Sequence, residues 1–455
     1  MITWASTSFS PRAASFRFRN YQDVEVLTHI VSVSPQVSEP AHTKSEIDLP
    51  LTGIVSGSIV RFAGWFVLEG PLRQVRVEAV LREFNDKALC SRFAAERSDV
   101  TESIQLDPGH AAYGFELSAH RFDLPPSFCI AIWAYIPDEN GSEQGVVICE
   151  IKGTNSISAP SPKPRFTPVY VVGLGRSGTT VLMRMLSKHP SLVCGTKYPL
   201  ELCVSAYHAK LLKIATSSAA PETFSMPQIF SGPYAGPNPF ASFGIVPEDV
   251  LNKIMAQTHE AGIGHAQRSN DIWYASLADH QRKNAPKYFV EKSVPNQLLV
   301  NALNYYADSK IVLLVRNPKD IFLSRVRFNR RRGYKDFGEQ VAKNFDDWAR
   351  AQSNECRFLR AIHSNFGERV VHVVKYESLM ADSRAVLGRL CESLGIEANG
   401  DALNTMLEMT DADQTEHTSH RTKETDWAEE AQFLPSVERI FSSELSTFCE
   451  AYGYS

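Results

Sequence analysis

The sequence predicts an α/β protein: a P-loop-like parallel sheet covered by helices, preceded by a small all-β, sandwich-like domain. Three observations carry this reading. Residues 52–152 are a series of short β-rich runs between turns, almost without helical periodicity. The composition then shifts abruptly to Gly153-Thr-Asn-Ser-Ile-Ser-Ala-Pro-Ser-Pro-Lys-Pro-Arg165, a Ser/Pro-rich stretch with the character of a linker. Beyond it, apolar strands alternate with helical segments, the grammar of a parallel sheet with helices on its faces.

Each element follows from its own pattern. Residues 1–50 lack sustained periodicity and hold Arg12, Arg17 and Arg19 in a Ser- and Pro-containing stretch, so an arm or extended segment is expected there. In the all-β part, 51–152, Ile59–Val67 is a β-rich run and Val75–Leu81 alternates with period two, one face dry and one wet. Cys129–Ile136 ends at the turn-forming Pro137-Asp-Glu-Asn-Gly141, and Val146–Ile151 closes the set. A linker spans 153–165 and the α/β domain 166–455. There Val169–Val172 is a short strand, and Gly173–Thr180 a loop. Val181–Lys188 is a helix with Leu182, Met185 and Leu186 on one face, stopped by His189-Pro190. Ile311–Val315 reads as a strand buried on both faces. Helices are expected at 337–365 and 382–394, with a buried strand Val370–Tyr376 between them. No internal repeat is present.

Bulk properties exclude several function classes. The chain has 455 residues, enough for two or three domains, and at 43% hydrophobic it can bury a sizeable core. A formal net charge of −4 provides no global basic field for nucleic acid, so any anion site must be local. Eight cysteines are scattered without a CxxC or zinc-type spacing, which suits buried thiols in a reducing compartment. No apolar run approaches the roughly 20 residues of a membrane helix. The first residues lack a signal-peptide pattern. A soluble cytoplasmic protein is expected, with peripheral membrane contact left open.

The chemistry centres on Gly173-Leu-Gly-Arg-Ser-Gly-Thr-Thr180. A strand running into a glycine-rich loop and then a helix brings backbone N–H groups and a positive helix end to an anion. Gly173 and Gly178 have the spacing of a nucleotide P-loop, but the lysine that reaches β- and γ-phosphates is absent. The buried strand 311–315 ends in Arg316 rather than in a magnesium-holding aspartate. The site thus has a phosphate loop without the Walker lysine and aspartate.

Gly175-Arg-Ser-Gly-Thr-Thr180, followed by a helix and His-Pro, resembles the 5′-phosphosulfate loop of the sulfotransferase superfamily, nearest to its tyrosylprotein and bacterial glycan-type branches. Val315-Arg-Asn-Pro-Lys-Asp-Ile-Phe-Leu-Ser324 resembles the 3′-phosphate segment of that family. The resemblance covers residues 166–455. It implies sulfuryl transfer from 3′-phosphoadenosine 5′-phosphosulfate, without a metal, to an acceptor hydroxyl, leaving adenosine 3′,5′-bisphosphate. It places Arg176, Ser177, Gly178, Thr179 and Thr180 on the 5′-phosphosulfate, with Arg176 also stabilising charge on the bridging oxygen. Arg316 and Ser324 fall on the 3′-phosphate. Lys292, in Glu291-Lys-Ser-Val-Pro295, stands at the interval of the family's catalytic lysine.

For the general base, the resemblance points to Tyr198-Pro-Leu-Glu201, hence Glu201, tuned upward by burial. The tyrosylprotein branch has its glutamate near Lys197, so the sequence departs from that pattern; His208 is the alternative. Arg325, Arg327, Arg330, Arg331 and Arg332 form a basic cluster, read either as a solvated face or as added grip on an anion. Val374–Leu379 resembles a structural Tyr-Glu strand end, and His420–Trp427 lies where relatives have a cofactor-covering loop. The aromatic, Gly- and Pro-rich stretch around 207–285 is expected to line or lid the acceptor cleft. Gly64-Trp65, Arg97-Ser-Asp-Val100 and Gly114-Phe115 resemble accessory β-domains of bacterial glycan-modifying enzymes, which favours a glycan or glycoconjugate acceptor. Two other readings stay open: a P-loop kinase or NTPase, and a non-catalytic nucleotide- or glycan-binding protein.

Overall fold

The computed structural model describes residues 26–35, 42–49, 52–55, 59–69, 74–84, 87–106, 109–137, 142–157, 164–195, 197, 200–215, 248–283, 286–331, 345–408, 435, 438–439, 442–443 and 445–454. Ten strands build the first half: β1 (Val26–Pro35), β2 (His42–Leu49), β3 (Gly53–Val55), β4 (Ile59–Glu69), β5 (Arg76–Leu81), β6 (Lys87–Phe93), β7 (Ala95–Glu96), β8 (His110–His120), β9 (Ser127–Pro137) and β10 (Glu143–Ile157). They form one antiparallel sheet of order β3-β1-β10-β9-β5-β6 and another of order β2-β4-β8-β7. Side chains from both sheets share a core, with Ile30, Val77, Ile130 and Ile148 from the first and Phe62, Phe66 and Phe115 from the second. The alternation at 75–81 is realised: Val75, Val77, Ala79 and Leu81 are fully buried. Val80 is buried as well, where a bulge interrupts the pairing of β5 with β6.

The antiparallel strands reach beyond 51–152 at both ends. Within 1–50, β1 pairs with β10 and β2 with β4. In β1 polarity and burial disagree, since Thr28 is fully buried while Val31 is 57% exposed. At the other end β10 runs through Gly153 to Ile157, inside the stretch expected to be a linker. Gly153 is required there, because a Cβ would run into the Phe128 ring and the His29 carbonyl. Arg12, Arg17 and Arg19 lie outside the described residues.

The three N-terminal fragments singled out in the sequence come together in space. Trp65 pairs with Gly114 and Gly64 with Phe115 across β4 and β8. Arg97, held by Asp99, lays its stem over Gly114, where a Cβ would strike it. Helix α1 (Ser98–Ser103) sets Val100 against Trp65. Their shared work in this chain is to strap a short helix onto the sheet.

The second half contains β11 (Thr167–Gly173), α2 (Thr179–Lys188), β12 (Leu192–Cys194), α3 (Val204–Ala215), α4 (Glu248–His280), β13 (Tyr288–Ser293), α5 (Gln297–Tyr305), β14 (Lys310–Val315), α6 (Pro318–Arg331), α7 (Phe345–Asn365), β15 (Val370–Lys375), α8 (Tyr376–Ala381), α9 (Ser383–Leu394), α10 (Gly400–Leu407) and α11 (Ser446–Tyr452). The sheet order is β12-β13-β11-β14-β15, all parallel. Ile311–Val315 is fully buried, as its apolar run requires. By contrast β15, at the sheet edge, is mostly half-buried, and Tyr376 opens α8 rather than closing the strand. Side chains set the helix limits. Asn296 caps α5 through the Leu299 N–H and Asp382 caps α9 through Ala385. Lys283 donates to the carbonyls of Ser187, in the last turn of α2, and of His189, just past its end, at 2.6 and 2.8 Å.

A polar seam joins the halves. Asn301 Nδ2 donates to the Phe122 carbonyl at 2.9 Å and to Asp123 Oδ1 at 2.7 Å; Asn304 Nδ2 donates to the carbonyls of Phe122 at 2.8 Å and Leu124 at 3.1 Å. Gln297 donates to the Asp123 carbonyl at 2.7 Å. Phe84 packs on Phe358, ring centroids 4.6 Å apart. His259 lies 4.2 Å from the His120 ring and 4.5 Å from that of Phe122. Among the described residues no helix is long and apolar enough to cross a membrane.

Candidate functional site

The order β13-β11-β14 puts the loop after β11 between the ends of two neighbours reached by different connections, the place where parallel α/β sheets open a crevice. Register pairs Val171 with Lys292 on one side and Gly173 with Leu314 on the other, so Lys292, the glycine loop and Arg316 all lie at the same sheet edge.

The loop is compact and pinned. Gly178 stands at φ +100°, and a Cβ there would collide with the Tyr376 ring. At Gly173 a Cβ would meet Ser177 Oγ and the Leu314 carbonyl at 2.8 and 2.9 Å. Arg176 is held at φ 72°, which costs a non-glycine residue about 1–2 kcal/mol and persists only when its surroundings impose it. The surroundings are visible: Arg316 Nη1 donates to the Arg176 carbonyl at 2.9 Å, and Arg325 Nε donates to the Gly175 carbonyl at 3.0 Å. The Arg176 guanidinium lies over Phe328 and its Nε donates to Ser324 Oγ at 3.3 Å. Arg176 and Ser324, 148 positions apart, thereby touch. The Arg316 guanidinium lies 4.4 Å over the Tyr376 ring. Two buried polar atoms here have no hydrogen-bond partner, Ser177 Oγ and Arg316 Nε.

On the other side, Lys292 Nζ donates to Thr180 Oγ1 at 3.2 Å and forms an ion pair with Glu201. The lysine side chain is 12% exposed and the carboxylate 45%. The burial expected to tune Glu201 is therefore missing: it faces solvent and a cation. Glu201 sits in a turn with positive φ at Leu200 (65°) and Cys203 (49°). The structure directs His208 elsewhere. Its Nδ1 bonds Asn270 Oδ1 at 3.1 Å inside a buried network with Ser205 and Tyr306, and burial lowers its pKa.

The remaining candidates separate. Arg325 is committed to the Gly175 carbonyl and to Glu355, at 2.7 Å, which makes it a loop brace. Arg330 and Arg331 belong to the backbone of α6 with no described side chain; Arg332, residues 216–247 and His420–Trp427 lie outside the described residues. Within the stretch 207–285 the described residues are helical, in α3 and α4, and the Gly- and Pro-rich part around 230–240 lies outside the described residues. Sequence reasoning passed over three contributors. Tyr376 supports both Gly178 and Arg316; the only hint was the Tyr-Glu strand end. Glu377 accepts from the Asn317 N–H and from Tyr454 Oη, both at 3.0 Å, fixing the residue after Arg316. Glu291, beside Lys292, is 3% exposed and accepts from Ser205 N–H and Tyr274 Oη.

A glycine loop on the central strand of a parallel sheet, with guanidinium groups and a lysine converging on it, defines an α/β transferase of P-loop-like type lacking the Walker lysine. Residues 168–400, over half of the chain, match the family model described as "Sulfotransferase family". The chain belongs to the sulfotransferase family and is a sulfotransferase enzyme. No curated protein matches the sequence. Similar solved structures include the sulfotransferase domain from the curacin biosynthetic pathway (15% identity, 64% of this chain and 98% of that one, TM-score 0.34). Another is a sulfotransferase from Alicyclobacillus acidocaldarius (22%, 63% and 98%, TM-score 0.32). A third is retinol dehydratase in complex with androsterone and inactive cofactor PAP (14%, 62% and 72%, TM-score 0.25).

Proposed function

We propose that this enzyme takes its sulfuryl group from 3′-phosphoadenosine 5′-phosphosulfate and passes it to a hydroxyl of a carbohydrate or glycoconjugate in the cytoplasm. The observation that carries the donor assignment is the pair of buried, unpartnered groups, Ser177 Oγ and Arg316 Nε, one in the loop and one at the end of β14. Buried polar atoms without partners are costly, so they fit a ligand that supplies acceptors at two separate places. Ser177, Gly178, Thr179 and Thr180, at the start of α2, would hold the 5′ end and Arg316 with Ser324 the 3′-phosphate. When bound, the donor supplies a sulfonate activated by a phosphate leaving group.

The chain's own residues do the rest. Arg176, whose guanidinium rests against Ser324 and Phe328 of α6, supplies positive charge beside the loop that would hold the 5′ side. Lys292 offers an ammonium bound to Thr180, within reach of the same side. Its pairing with Glu201 keeps a carboxylate at hand to take the acceptor's proton, and the exposure of Glu201 leaves that carboxylate open to an incoming hydroxyl. As in phosphoryl transfer, positioning and charge stabilisation supply most of the effect. The carbohydrate acceptor is supported by the resemblance of the N-terminal fragments; eight cysteines scattered without a disulfide-type spacing suit a reducing compartment.

The test is transfer of labelled sulfate from the activated donor to glycan, peptide and lipid extracts. Arg176→Ala and Lys292→Ala are expected to abolish transfer, and wild-type turnover in either removes its assignment. Glu201→Gln is expected to lose turnover while still binding adenosine 3′,5′-bisphosphate. Retention on immobilised ATP but not on the immobilised bisphosphate would favour a kinase instead.

A further inference from the structure

Adjacent residues on β13 face opposite ways. Lys292 meets Thr180 and Glu201, whereas Glu291 turns into the layer of α3 and α4. There its carboxyl receives the Ser205 N–H, at 3.1 and 3.2 Å to its two oxygens, and Tyr274 Oη at 2.5 Å. Ser205 is in the first turn of α3, whose free N–H groups favour such an acceptor. The Tyr274 ring is stacked on Phe289 with centroids 4.2 Å apart, so that donor is fixed in turn.

The turn carrying Glu201 ends where this helix begins. Two of its residues, Leu200 and Cys203, are in the left-handed region without being glycine. Such backbone is kept only where neighbours impose it. The Cys203 thiol donates to the Lys292 carbonyl at 3.6 Å, and Glu291 holds Ser205 two residues on. Both anchors belong to consecutive residues of β13.

We infer that Glu291 is a positioning residue: by holding the start of α3 it keeps the strained Leu200–Cys203 turn in place and so keeps Glu201 on Lys292. The role assigned to the pair in turnover rests on the proposed function; the placement itself does not.

The experiment therefore reads Lys292 directly, as the rate at which an amine-acylating reagent modifies it at neutral pH, followed by peptide mass spectrometry. Losing the charge-assisted bond to its carboxylate partner should free the Lys292 nitrogen for reaction, so Glu201→Gln is expected to label about tenfold faster. Glu291→Met, which keeps volume but removes the acceptor, is expected to match it, and the double variant to be no faster. Glu291→Gln, which retains an acceptor oxygen, should stay within about twofold of wild type on that tenfold scale. Lys283, tied to two buried carbonyls, reports any loss of fold. If it too becomes reactive in Glu291→Met, Ser205→Pro decides, because proline removes the same N–H and is tolerated in a first helical turn. The inference is overturned if folded Glu291→Met or Ser205→Pro labels at the wild-type rate, if the double variant adds, or if Glu201→Gln leaves Lys292 unchanged. Sulfate transfer by Glu201→Gln judges the base assignment separately.

Discussion

Replacing Arg316 by methionine separates recognition of a 3′-phosphate from general affinity for nucleotides. The guanidinium spends one N–H on the Arg176 carbonyl, rests on Tyr376 and leaves Nε buried without an acceptor. If a phosphate completes it, the substitution removes two charge-assisted hydrogen bonds, about 3 kcal/mol in all, or on the order of a hundredfold in Kd. Adenosine 5′-phosphate lacks that group and should lose only the tie that braces the loop, about 1 kcal/mol or fivefold. Titration calorimetry with adenosine 3′,5′-bisphosphate and with adenosine 5′-phosphate, on wild type and Arg316→Met, gives the difference of differences. It should favour the bisphosphate by about twentyfold. Equal losses for the two nucleotides would refute a 3′-phosphate contact, since the variant would then act only through the loop.

Other outcomes follow from features already described. Arg325→Met, which frees the Gly175 carbonyl, is expected to weaken bisphosphate binding by about five- to tenfold in the same titration. Asn301→Leu and Asn304→Leu should each cost about 1–2 kcal/mol in urea unfolding, because the Phe122 carbonyl keeps one donor; the double variant orphans it and should exceed their sum by about 1–3 kcal/mol. Burial holds the pKa of Glu291 above the ordinary 4.5. Between those two values the folded chain keeps a proton that the unfolded chain has lost, so wild type should lose stability relative to Glu291→Gln as pH rises from about 4.5, and urea midpoints over pH 4.5–8 check the sign. For His259, which burial holds well below 6.5, the sign reverses: wild type should lose stability as pH falls below 6.5, and His259→Phe should flatten that acid slope.

What could be read in the sequence tracks how local each signal is. The β11 loop was legible because glycine spacing, a preceding apolar strand and a following helix are contiguous. The parallel sheet was legible because strands buried on both faces, such as Ile311–Val315, are unbroken apolar runs. Strand β1 was obscure because its burial departs from its polarity, with Thr28 buried and Val31 exposed, and its partner β10 lies far away in sequence. The contact between Lys292 and Glu201 and that between Arg176 and Ser324 depend on sheet order, which no local pattern encodes; the family resemblance alone grouped them. Arg325 was indistinguishable from the basic residues after it until the Gly175 carbonyl was seen beneath it. Glu291 entered the sequence reading only as the neighbour of Lys292; the alternation of β13 against α3 shows it as buried. His208, the alternative base, instead has its ring nitrogen bonded to Asn270.

The seam along α5 bears on how the polypeptide is made and exchanged. The carbonyls of Phe122, Asp123 and Leu124 leave the ribosome long before Gln297, Asn301 and Asn304 exist to receive them. Until then water must solvate that edge, so the part synthesised first is finished by the part synthesised later. Fusing the β-rich half to another catalytic unit would take these donors from the Phe122 and Asp123 carbonyls, while Leu124 keeps Asn155, and fusing the catalytic half elsewhere would strip three amides of their acceptors. The three α5 amide side chains must therefore travel with the strands they read.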